Sequence, residues 1–146
     1  MKVKEVLAEK GTRVVTVDQE ASVFDAMSTF AANRVGSLLV LDSKEVIVGI
    51  IGARDVLMAV LKSCEKIKET KVKEIMTKKI IIGDPEDDLG KIEAIMTENR
   101  IRHVPIIKED QLAGIVSIGD VVKAQLKNVH VENRYLKDYI VGKYPA

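Results

Sequence analysis

Lys2-Val3-Lys4-Glu5-Val6-Leu7 returns downstream as Lys71-Val72-Lys73-Glu74-Ile75-Met76, at a shift of 71 − 2 = 69 residues. Two further segments return in the same order. Asn33-Arg34-Val35 reappears as Asn99-Arg100-Ile101, at 99 − 33 = 66, and Gly49-Ile50-Ile51 with Asp55-Val56 reappears as Gly114-Ile115-Val116 with Asp120-Val121, at 114 − 49 = 65. One short match arises easily by chance. Three in order at nearly constant spacing mark tandem copies of one supersecondary unit, with small loop deletions accounting for the drift.

Each copy reads in the same way. Arg13 to Val17 and Lys79 to Ile82 are rich in β-formers, and each precedes an acidic helix start, Asp18 to Ser22 and Asp84 to Asp88, where Pro85 suits a first turn. Val23, Ala26, Met27 and Phe30, then Leu89, Ile92, Ile95 and Met96, recur at helical spacing. Leu38 to Leu41 and Val46 to Ile51 flank a polar turn, as do Val104 to Ile107 and Leu112 to Val116, and both pairs predict hairpins. Closing helices are predicted over Ala53 to Lys62 and Ile118 to Lys127. The expectation is therefore an α/β (α+β) fold of two β-α-β-β-α repeats, over 1–62 and 71–127, with a polar linker at 63–70 and a helical tail at 128–146. Halves of about 60 residues bury little surface alone, so the two are expected to pack sheet to sheet with pseudo-twofold symmetry.

Composition narrows the functions. Of 146 residues, 47% are apolar, enough for a packed core, and 23 Lys plus Arg balance 22 Asp plus Glu, leaving no electrostatic footprint for a phosphate backbone. Aromatic residues make up 3%, with no Trp, so stacking platforms for single-stranded bases are not available in number. Nucleic-acid binding is disfavoured. A single cysteine, Cys64, forbids an internal disulfide, and with His103 and His130 it forms no zinc-type cluster. Met1 to Gly11 lacks the apolar core of a secretory signal, and the longest apolar run, Val46 to Ala53, is far below the roughly 20 residues of a membrane span. The expected location is the cytoplasm, away from membranes. No nucleophile with an adjacent base, no paired carboxylates with a general acid and no Walker loop can be found, so no enzyme activity is expected.

The sharpest local signal is Gly114-Ile115-Val116-Ser117-Ile118-Gly119-Asp120-Val121, a strand running into a helix with a hydroxyl, a glycine and a carboxylate at the junction. Ser117 and Asp120 match a capping box, in which two side chains satisfy helix-start donors. The other reading gives Asp120 the two hydroxyls of a ribose and gives Ser117, with nearby N–H groups, a phosphate at the helix mouth. Gly52-Ala53-Arg54-Asp55 in the first copy keeps the acid without the capping hydroxyl, which favours a further job for Asp55 and Asp120.

Two such copies, each ending in Gly-apolar-apolar-x-x-x-Asp-apolar, resemble the CBS domain pair, or Bateman module, from Met1 to about Lys127. The second copy, with Asn99-Arg100-Ile101-Arg102-His103-Val104-Pro105, is similar to copies in the gamma subunit of the AMP-activated kinase. The resemblance implies a regulatory module whose clefts draw on both copies and take adenosine ligands. One cleft would join Gly11-Thr12 and Val35-Gly36-Ser37-Leu38 to Ser117, Gly119 and Asp120, with adenine against Val14, Val35 and Leu38, ribose on Asp120, and phosphate near Thr12 and Ser117. The other would join Lys78 and Ile101-Arg102-His103-Val104-Pro105 to Gly52, Arg54 and Asp55, with Arg102 and His103 contacting phosphate. Gly52 departs from the family's usual Ser or Thr, and Leu39 from its usual Pro.

The implied ligand is AMP, ADP or ATP, with no cofactor required; S-adenosylmethionine and NAD(H) offer the same adenosine end. Implied partners are this small molecule, a second copy in a homodimer and an unidentified regulated protein. The alternative is a homodimeric adapter with vestigial clefts. In the tail, Val131, Tyr135, Leu136, Tyr139 and Ile140 are spaced as one apolar helix face.

Overall fold

A computed structural model describes residues 1–132, with side chains up to Lys127. The apolar tail face from Val131 to Ile140 lies outside the described side chains. The elements run α1 (Val3–Lys10), β1 (Thr16–Asp18), α2 (Val23–Asn33), β2 (Ser37–Leu41), β3 (Ile47–Gly52), α3 (Ala53–Ser63), a 3-10 turn (Cys64–Lys66), α4 (Val72–Ile75), α5 (Leu89–Asn99), β4 (His103–Lys108), β5 (Gln111–Ser117) and α6 (Ile118–Glu132). Both predicted hairpins and the helices between them form. The mixed α+β class is borne out.

Packing divides the chain differently from the repeat. One compact unit is Arg13–Ile81, and the other is Met1–Thr12 together with the chain from Ile82 onward. The opening segment of each copy is therefore built into the unit that carries the other copy's hairpin.

In the Arg13–Ile81 unit, β1 runs parallel to β2 with Val17 opposite Val40, and β2 runs antiparallel to β3 with Ser37 opposite Gly52. Val17, Val23, Ala26, Leu38, Val40, Ile51, Val56 and Val72 form its core. The predicted linker is not a free tether: the Val23 and Phe24 N–H groups donate to the Thr70 and Ile67 carbonyls, and Ile67 packs against the core. On the outer edge of β3, Ile50 and Thr77 exchange backbone hydrogen bonds of 3.0 and 2.9 Å.

In the other unit, β4 and β5 form the sheet, with His103 opposite Ser117. The stretch Lys79 to Ile82, expected as a strand, is not one. Only a single parallel bridge, Gly83 to Ile106, occupies the place that β1 has in its counterpart. Pro85 sits in a turn before α5 rather than in its first turn, and Asp88 is the N-cap. The core of this unit takes Val3, Val6 and Leu7 from α1 and packs them with Leu89, Ile92, Met96, Val104, Ile106, Val116 and Val121.

The opening helices are anchored alike. The Val3 and Lys4 N–H groups donate to the Asp87 and Pro85 carbonyls, and the Val72 and Lys73 N–H groups to those of Ala21 and Gln19, so helix-start donors that would otherwise be orphaned are satisfied. Glu86 receives Lys2 and Lys4, and Glu20 receives Lys71 and Lys73.

Candidate functional site

The strand-to-helix mouths singled out in the sequence can be built residue by residue. In the unit formed by Met1–Thr12 and the chain from Ile82, β5 ends at Ser117 and α6 begins at Ile118, whose N–H donates to the Arg102 carbonyl at 2.8 Å. The capping box forms. The Ser117 N–H donates to Asp120 Oδ2 at 2.8 Å, and Ser117 Oγ accepts from the Asp120 N–H at 3.1 Å.

A residue that the sequence reading did not pick completes the mouth. Lys10, the last residue of α1, places its Nζ 2.7 Å from Asp120 Oδ2 and 2.9 Å from the Ile115 carbonyl. It gets there because Leu7 lies on β5 at Gly114, where a Cβ would fall 2.8 Å from Leu7 Cδ2, so α1 crosses the strand closely and delivers its C-terminal ammonium to the junction. The only sequence hint was a basic residue in the last turn ahead of Gly11, which complements the helix dipole. A contact across 110 residues has no local signature.

Charge at this mouth follows from the geometry. Burial pushes the Asp120 carboxyl up, but hydrogen bonds from Lys10 and Ser117 and the Lys10 charge outweigh it, holding the group below its ordinary value. Asp120 is therefore a carboxylate at neutral pH, its side chain 19% exposed. Both protein bonds to it fall on Oδ2, and among the described residues Oδ1 accepts none. Burial also lowers His103, as do the cations Lys10 and Arg102, against the opposing pull of Asp120. His103 is thus neutral at pH 7 and can donate or accept a hydrogen bond at this mouth. Arg102 is exposed, whereas Val104 and Pro105 are buried and Ile101 packs against the core. Thr12 and Gly119 are exposed.

The second mouth belongs to the Arg13–Ile81 unit. The Gly52 N–H donates to Asp55 Oδ2 at 2.8 Å, so the carboxylate half of the capping box operates without a hydroxyl. The acid retained in the first copy thus has a capping role of its own. Asp55 also lines an open, mainly apolar depression with Met58, Ala59, Leu61, Lys62 and Ile75. Arg54, Lys78 and Gly36 are exposed, Ser37 is buried, and Val14 and Val35 are half-buried. Leu38 has no exposed surface and its side chain belongs to the core. Of the residues expected in the first cleft, Thr12, Ser117, Gly119 and Asp120 lie in one unit, and Val14 and Val35 to Leu38 in the other. Of those expected in the second, Ile101 to Pro105 lie in one, and Gly52, Arg54, Asp55 and Lys78 in the other.

Arg34 and Arg100 hold equivalent places as left-handed C-caps of α2 and α5, at φ 51° and 54°. Each N–H bonds back to the helix, to the Phe30 and Met96 carbonyls respectively.

The CBS domain family model matches residues 3–62 and 72–127. The chain belongs to the CBS domain family. Pairs of such domains are regulatory modules, and stand-alone pairs are generally not catalytic. The mitochondrial CBS domain-containing protein CBSX3 of Arabidopsis thaliana is 39% identical over 127 residues, covering 84% of this chain; the chain spans 62% of that relative's length. The crystal structure of the CBS-domain containing protein ATU1752 from Agrobacterium tumefaciens superposes with a TM-score of 0.81 at 38% identity, over 85% of this chain and 92% of that one. A CBS domain pair solved with 5-methylthioadenosine and S-adenosyl-L-methionine shares the fold, with a TM-score of 0.75 at 22% identity over 85% of this chain and 98% of that one.

Proposed function

We propose that the chain is a non-catalytic sensor that binds an adenosine nucleotide, AMP, ADP or ATP, with Asp120 gripping the ribose. The observation that carries this reading is the state of Asp120: an ionised carboxylate at a strand-to-helix junction, with Oδ1 free of protein donors among the described residues. A vicinal diol supplies two O–H donors to such a group. Ser117 Oγ, the exposed Arg102 and the exposed Gly119 in the first turn of α6 stand beside it for a phosphate. The bound methylthioadenosine and S-adenosylmethionine of the CBS pair described above lend support at the level of the fold, and they keep S-adenosylmethionine and NAD(H) in the ligand set. Asp55 offers a second ribose position, with weaker support for a phosphate because Gly52 supplies no hydroxyl. Cytoplasmic residence belongs to the same proposal.

The test separates binding from capping. Asp120→Asn keeps an acceptor for the Ser117 N–H but loses the charge, so calorimetry should show AMP affinity reduced at least tenfold, about 1.4 kcal/mol, in a protein that still melts cooperatively although Lys10 has lost its counter-anion. Unchanged affinity removes Asp120 from the site. AMP should also raise the melting temperature of the native protein by mass action.

A second reading, a homodimeric adapter, draws on apolar side chains that the helices leave in solvent: Leu57, Met58 and Leu61 on α3, and Val122 and Leu126 on α6. Leu57, Met58 and Leu61 together leave an apolar stretch of α3 in solvent, the kind of surface that another chain can cover. Sedimentation of the native protein and of Leu61→Asp decides it. A monomer in both cases ends the dimer.

A further inference from the structure

Lys10 is a charged group at the Asp120 mouth to which ribose recognition gives no task. Its ammonium has three N–H groups; one is given to Asp120 Oδ2 and one to the Ile115 carbonyl, and the side chain is 29% exposed. It is carried by the end of a helix seated on β5 through Leu7 and Gly114, so its position is built rather than incidental. The two mouths differ in this respect. At the shift of 69 residues that aligns the opening segments, Lys79 takes the place of Lys10, yet Lys78 and Lys79 are exposed, and among the described residues neither pairs with Asp55. One carboxylate carries a counter-cation and its repeat partner does not.

This pair has a consequence for what the site accepts. A neutral diol that spans both carboxylate oxygens competes with the ammonium for Oδ2, and an ammonium displaced from it loses its hydrogen-bonded anion while only 29% of the Lys10 side chain is exposed. An isolated charge is costly there. A ligand that brings a phosphate supplies a replacement anion at the same moment, and charge-assisted N–H to phosphate bonds are among the stronger ones. His103, neutral at pH 7, contributes no competing charge, while Arg102 adds a second exposed cation.

We infer that Lys10 is a specificity-determining residue that makes the Asp120 site select phosphorylated adenosine ligands over neutral ones, by exchanging its carboxylate partner for the ligand's phosphate. The inference rests on the reading that Asp120 grips the ribose. Asp55, with no such partner, imposes no comparable selection.

The experiment is an NMR titration of the full chain with AMP and with adenosine, read at the imidazole of His103, one of only two histidines. Native protein, Lys10→Met and Lys10→Arg are compared, with melting temperatures to confirm folding. Native protein should bind AMP at least tenfold more tightly than adenosine. Lys10→Met should cut that ratio at least fivefold, with adenosine binding strengthened and AMP binding weakened, and Lys10→Arg should keep most of the preference. If AMP moves His103 in native protein but the ratio is the same in Lys10→Met, the Lys10 inference is overturned and ribose recognition stands. If neither ligand moves His103 in native protein, both fall. Should Lys10→Met fail to fold, Lys10→Gln carries the same comparison.

Discussion

Leu7 and Met76 make the same contact in the two copies of the repeat. Each is the last residue of the repeated opening segment, and each lies against the glycine that opens the Gly-apolar-apolar run: a Cβ on Gly114 would stand 2.8 Å from Leu7 Cδ2, and one on Gly49 would stand 2.9 Å from Met76 Cγ. The repeat is thus a record of one packing contact made twice.

The contact predicts which glycine is the less replaceable. Beside Gly49 the Thr77 carbonyl also lies 3.1 Å from an added Cβ, and Thr77 is tied to Ile50 in both directions, so the backbone there cannot retreat. Gly52 has only Asp55 Oδ2 at 3.8 Å. Gly49→Ala should therefore lower the stability of the protein by about 1–3 kcal/mol, the usual range for overpacking, while Gly52→Ala should be close to neutral. Denaturant melts of the two variants check this. Equal midpoints would show that Met76 and Thr77 yield freely.

Much of the architecture could be read from the chain because it rests on local patterns. Both hairpins announced themselves as apolar runs around polar turns, and the second turn is a two-residue loop with Glu109 and Asp110 both in the left-handed region, as a type I′ turn requires. The opening helices were visible as repeats but not as helices. Eight residues in α1 and four in α4 carry too few turns for a period to show, and packing of Val3, Val6, Leu7 and Val72 stabilises them instead. The misread strand at Lys79 to Ile82 has β-forming composition, but composition does not supply a pairing partner, and only Gly83 finds one. At the site, the acids were legible from their place after a strand. Lys10 was not, since it reaches Asp120 only through the packing of Leu7.

The paired lysines on Glu20 fix an acid response. Hydrogen bonds from Lys71 and Lys73, at 2.6 and 2.7 Å, pull its carboxyl from an ordinary 4.5 to about 2. A carboxyl whose value is lower folded than unfolded stabilises the fold fully above the unfolded value and loses that contribution as pH falls through the folded one. The Glu20 clasp should thus hold at pH 5 and fail between about 4.5 and 2. Carboxyl NMR titration should find the Glu20 midpoint well below 4, moving upward in Lys71→Ala and in high salt, since the pair is exposed and screened. A midpoint near 4.5 in the native protein would mean that the clasp does not persist in solution. Glu86, lowered in the same way by Lys4 and Lys2, should follow it.

The division of the chain makes its most distant prediction at the amino terminus. Val3, Val6 and Leu7 are at most 6% exposed and sit in the core with residues from 89 to 121. Burial of each contributes about 1.5–3 kcal/mol, and the three together rival the roughly 5–15 kcal/mol that stabilises a typical domain. Removing Met1–Thr12 should therefore strip hydrogen-exchange protection from α5, β4 and β5, more than 70 residues downstream by the numbering, and spare β1, β2 and β3, whose core takes nothing from that segment. Leu7→Ala should act in the same direction by about 2–5 kcal/mol. If protection were lost in β2 and β3 instead, the opening helix would belong to its own copy, and the exchange of opening segments described above would be wrong.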